Sequence, residues 1–117
     1  MNLPNYPLNT NLEFVSGDSY HFNVRVMQNN EPIIMNDNSI AIIQIKTMDS
    51  IILTKTFDKT QQNNDGYVLF SLLPDDTKKL HNGSLYIYEI KFIFTPIKII
   101  TAMQGKCIIG DNIIKDV

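Results

Sequence analysis

The chain has 117 residues and one cysteine, so it can bury one core but not two, and must hold that core without an internal disulfide. Ten Lys and Arg against twelve Asp and Glu leave a net charge of −2. The basic residues are scattered, which excludes a phosphate-tracking patch and with it nucleic acid as a partner. Hydrophobic residues make up 44%, with isoleucine used heavily and alanine scarcely at all, and β-branched side chains favour pleated sheet, so the composition points to an all-β fold.

The opening MNLPNYPLNTN has neither a basic start nor an apolar run and reads as no secretory signal. Residues 1–11, with Pro4 and Pro7 among asparagines, form an extended arm whose Leu3, Tyr6 and Leu8 are free to dock on a neighbour; a single domain, 12–117, follows. Leu12–Val15 is a short strand closed by the turn triplet Ser16-Gly17-Asp18. From Tyr20 to Met27 the alternation predicts a half-buried strand, with Tyr20, Phe22, Val24 and Val26 inward and His21, Asn23 and Arg25 in water. Residues 28–32 are a turn, Ile33-Ile34-Met35 a brief apolar run, and Asn36-Asp37-Asn38 another turn.

Ser39 to Met48 is apolar on both faces, Ile40 and Ile42 on one and Ala41, Ile43 and Ile45 on the other, which predicts a central strand covered on its second face too. Ile51 to Phe57 is its hairpin partner, and the polar run 58–64 is the segment expected to be a mobile loop. After Thr95-Pro96 a strand runs from Ile97 to Met103, Gln104-Gly105 turns, and a last strand from Lys106 ends its pairing near Ile114. No stretch approaches the roughly 18 continuous apolar residues of a membrane-spanning helix, so the chain reads as soluble, with no membrane insertion. Roughly eight or nine short strands fit a sandwich better than a closed barrel.

The chain is organised around Asp65 to Phe94. A strand from Tyr67 to Leu72 meets a polar bridge with one short helical turn near residues 75–81, where Asp75 or Asp76 caps a free N–H, Thr77 fills the turn and Leu80 points back to the core. Gly83 ends the bridge with permissive backbone, and in the next strand Tyr86, Tyr88, Ile90 and Phe92 share one face. A tyrosine there can bury its ring while its hydroxyl bonds backbone upstream, the tyrosine corner of an immunoglobulin-like antiparallel β-sandwich; an ordinary hairpin with two core tyrosines competes with that reading.

Nothing in the sequence assembles a catalytic, cofactor or metal site. His21 and His81 form no metal-ligating pair, Asp58 to Gly66 lacks the alternating carboxylates of a calcium loop, and Asp75, Asp76 and Glu89 make no acid–base pair. Cys107 has no neighbouring histidine and packs as a small apolar group, so no enzyme is expected. What remains is an excess of isoleucine for one interior: Ile33, Ile34, Ile40, Ile42, Ile97 and Ile99, with Met35, Ile51 and Ile100 beside them, either form a candidate interface with other subunits or are covered by the loops and the Pro-containing arm.

Three motifs carry a resemblance: F-V-x-G-D-S-x-x-F-x-V from Phe14 to Val24, D-G-Y-V-L-F-S-L-x-P-x-D-T-x-x-L-x-x-G-x-x-Y-x-Y-E-I from Asp65 to Ile90, and T-x-x-x-G-x-x-x-I from Thr101 to Ile109. Together they cover most of residues 12–114 and resemble a family of small phage or prophage proteins, the immunoglobulin-like modules of tails and baseplates, similar to the N-terminal module of upper baseplate proteins. The resemblance implies a non-enzymatic assembly module without cofactor. It would be made in the bacterial cytoplasm and carried in the virion, where it docks on other phage structural subunits or on copies of itself. A module that binds carbohydrate or a cell surface is the alternative.

Overall fold

In the computed structural model, which describes residues 6–110, side-chain alternation decides which residues meet in the core. The strands are β1 (Leu8–Asn9), β2 (Leu12–Val15), β3 (Tyr20–Val24), β4 (Met27–Gln28), β5 (Glu31–Pro32), β6 (Ile40–Lys46), β7 (Ile51–Phe57), β8 (Val68–Leu72), β9 (Tyr86–Thr95) and β10 (Lys98–Gly110). A 3-10 turn spans Lys59–Gln61, and one helical turn, α1, spans Pro74–Thr77. β2, β6, β8 and β9 bury every second residue, so each offers one apolar face to the interior.

The large sheet runs β1-β10-β9-β6-β7, with β2 joining β10 beyond β1, and β3–β8 form the opposing pair. This is an all-β sandwich, and its strand order matches the G-F-C-C′ and B-E arrangement of immunoglobulin-like domains. The expected antiparallel pairing holds through β7, β6, β9 and β10, whereas β1 and β2 lie parallel to β10. Between the sheets Phe70 on β8 reaches both Phe57 on β7 and Phe92 on β9, at ring separations of 4.8 and 6.2 Å. Phe22, its cross-strand neighbour on β3, stacks on it at 5.6 Å, so one fully buried ring ties four strands of the two sheets together.

Four expectations need correction. The strand expected over Tyr20–Met27 stops at Val24; β4 and β5 then make a separate hairpin around Asn29 and Asn30, whose φ of 55° and 66° suit a two-residue primed turn. The turn expected at Gln104-Gly105 is absent, because β10 is continuous and carries a bulge at Ala102 instead. That extra residue shifts the phase: Ile100 and Ala102 are buried before it, Cys107 and Ile109 after it.

The expected mobile loop is also built into the structure. Asp58 accepts from the Thr60 N–H and Gln61 returns a bond to the Asp58 N–H, while the Gln62 side chain bonds Met35, Ile33 and Gly66 backbone. Lastly, the described part of the arm, from Tyr6 on, packs on its own domain, since the Tyr6 hydroxyl accepts from the Met27 N–H at 2.8 Å and Leu8-Asn9 join the sheet beside Met103 and Gln104. Leu3 and the strand end near Ile114 lie outside the described residues.

Candidate docking face

The corner between β8 and β9 positions β9. In α1, Asp76 reaches back to accept from the Leu73 N–H at 2.8 Å, which settles the choice between Asp75 and Asp76. The same carboxylate takes a hydrogen bond from Lys55 Nζ at 2.8 Å, joining α1 to the edge strand β7. Burial pushes Asp76 upward, but the hydrogen bonds from Lys55 and Leu73 and the charges of Lys55 and Lys79 outweigh it and hold the carboxyl below its usual range.

Thr77, fully buried, donates to the Asp18 carbonyl at 2.7 Å and accepts from the Gly17 N–H at 3.0 Å. It clamps α1 to the turn after β2. Leu80 enters the core without exposure, and Gly83 turns the chain at φ 89°, a conformation that disfavours any side chain. The Tyr86 hydroxyl then accepts from the His81 N–H at 3.0 Å with its ring buried, the geometry of a tyrosine corner. Tyr88, also buried, donates to the Thr10 carbonyl at 2.8 Å and so pins the segment between β1 and β2. Burial first, and then the nearness of Cys107 and Tyr20, pushes its hydroxyl up to about 12. Burial alone pushes the Cys107 thiol up to about 12, which keeps it protonated and weakly nucleophilic.

The corner and its partners fill the inside of the large sheet; on its outside Ile40, Ile42 and Ile93 are half-buried, and Ile87 and Ile99 are exposed. Cross-strand register arranges that outer face in four rows. Ile40, Ile93 and Ile99 form the first; Thr56, Ile42, Lys91 and Thr101 the second; Thr54, Gln44, Glu89 and Gln104 the third; and Ile51, Lys46, Ile87 and Lys106 the fourth. One end is therefore apolar and the rest mixed. Ile97, 97% exposed on the β9–β10 turn, borders the apolar end next to Ile99, itself 53% exposed.

Of the candidate interface residues, Ile40, Ile42 and Ile99 share this face, with Ile97 at its border. Ile33 instead packs on the core, and Ile34, though exposed, sits in the loop after β5, so neither belongs to the face. Met35 and Ile100 are core residues, 4% and 8% exposed. Ile87 and Ile93, which the alternation of β9 puts on the face opposite the buried Tyr88, Ile90 and Phe92, join this surface although they are not among the candidate interface residues. The expected cover over the second face of β6 is absent among the described residues.

Two shallow depressions mark the mixed part of the face. One of about 340 Å³ is lined by Asn9, Lys46, Ile87, Glu89, Gln104 and Lys106, with Tyr88 and Gly105 also on its wall; a smaller one of about 150 Å³ lies among Ile42, Gln44, Glu89 and Lys91. Glu89 pairs with Lys91 at 3.5 Å. Among the described residues no three His, Cys, Asp or Glu side chains come together as metal ligands, and no helix is long and apolar enough to cross a membrane. Searches against models of protein families and against curated proteins find no match for this chain.

Proposed function

We propose that the chain is a non-enzymatic assembly module, of the phage tail or baseplate kind that its motifs resemble, and that it docks through the outer face of the large sheet. The observation that carries this reading is the Ile40–Ile93–Ile99 row with Ile42 and Ile97 beside it. These β-branched side chains stand on a sheet face that no other element of the described chain covers. Apolar surface of this kind gains on the order of 25 cal/mol for each Å² removed from water, and the flanking Lys46, Glu89, Lys91 and Lys106 supply the polar surround that fixes orientation.

The partner to which this reading commits is a further copy of the chain. The test is molar mass by sedimentation over a concentration series, for the native chain and for Ile40→Gln with Ile42→Gln. The native chain is expected to associate as concentration rises, and the variant to stay monomeric with an unchanged fold. A native monomer indifferent to the two substitutions would remove the reason for placing assembly on this face.

A second reading, a carbohydrate- or cell-surface-binding module, draws on the 340 Å³ depression and its amide, ammonium and carboxylate groups. Its weakness is the lack of a stacking ring: Tyr88 is buried, and its hydroxyl is already committed to Thr10.

A further inference from the structure

β7 forms one edge of the large sheet and pairs with β6 alone among the described residues. Its sequence, IILTKTF, has seven residues with no proline or glycine and strong β preference, which is the character of an edge that adds a strand from another chain. The strand is also self-complementary. Two copies laid antiparallel about Thr54 would place Thr54 opposite Thr54, Ile52 opposite Thr56 and Leu53 opposite Lys55, with no like charges facing.

One residue opposes this pairing. Lys55 points into the sandwich near the middle of the edge, where its Nζ donates to the Ser71 carbonyl at 2.9 Å and to Asp76 at 2.8 Å. About a quarter of its side chain (24%) remains exposed. We propose that Lys55 guards the β7 edge: an added strand would strip the remaining water from its ammonium and set it against the buried Leu53 of the second copy, so the edge stays single although its backbone is available. This does not rest on docking through the outer face, because Lys55 points to the opposite side of the sheet.

The experiment places Thr54→Cys in the native background and in Lys55→Met, and follows disulfide-linked dimer under mild oxidation. Residues opposite each other in an antiparallel pair lie within disulfide reach, and the native Cys107 is buried and does not compete. At least tenfold more cross-linked dimer is expected in the Lys55→Met background. A face-to-face contact would be indifferent to Lys55, so the difference between backgrounds reads the edge alone. Equal cross-linking in both, or none in either with the native circular dichroism intact, would overturn the guard. Should Lys55→Met not fold, Lys55→Gln, which keeps a donor for Ser71 and loses the charge, carries the same expectation and the same refutation.

Discussion

Asp76 and Tyr86 show how single polar groups close this sandwich. The Asp76 carboxylate serves the Leu73 N–H and Lys55 together, so it joins a turn to a strand of the opposite sheet. Its folded pKa is lowered, so its contribution is present above the unfolded carboxylate value of about 3.9 and is lost as pH falls through the folded one. Asp76→Asn should therefore cost about 1 kcal/mol at pH 7 in urea unfolding, with the gap from the native chain closing towards pH 2. A pH-independent gap would show that packing, and not charge, is what Asn disturbs. Tyr86→Phe leaves the ring and removes the acceptor of the His81 N–H; it should lower stability by about 1 kcal/mol in urea unfolding at pH 7. Asp76 and Tyr86 can be picked out from the sequence because Leu73 and His81, which they bond, are close in the chain, and Leu80, Gly83 and Tyr88 because turn chemistry and alternation mark them. Thr77 was legible as a turn residue only, since its partners Gly17 and Asp18 lie some sixty residues away.

At the scale of elements, legibility followed the regularity of the pattern. β6, β7, β8 and β9 were readable because each keeps one phase of alternation or a hairpin spacing. β10 was not: the bulge at Ala102 moves the buried positions by one, and a phase slip beside glycine looks like a turn. Gly105 has a different task there. A Cβ at this position would lie 2.0 Å from the Thr10 carbonyl oxygen, so the absence of a side chain lets the segment between β1 and β2 lie against β10. Gly105→Ala should cost about 1–3 kcal/mol and, more tellingly, speed hydrogen exchange at the Thr10 amide, which bonds the Gln104 carbonyl, before it affects β6 or β9. Uniform loss of protection across the sheet would contradict that local account. The polar run after Phe57 misled for another reason: polarity marks solvent contact, yet Asp58, Gln61 and Gln62 spend their side chains on backbone groups nearby.

For the whole molecule, the sequence shows an excess of isoleucine but not where it gathers. Ile93 and Ile99 meet across the β9–β10 turn, and Ile40 joins them only through the register of β6 with β9, from more than fifty positions away. Ile100, on the other phase of β10, turns inward, and Ile33 and Met35 pack on the core from the loop after β5, although their residue type is no different. The claim on which the functional account rests is that this row meets another subunit. The most direct measurement is isoleucine methyl NMR on the native chain across a concentration series. The account predicts that Ile40, Ile42, Ile93 and Ile99 shift together while the buried Ile43, Ile45 and Ile90 stay fixed. Shifts confined to other surfaces, or none up to millimolar concentration, would contradict it.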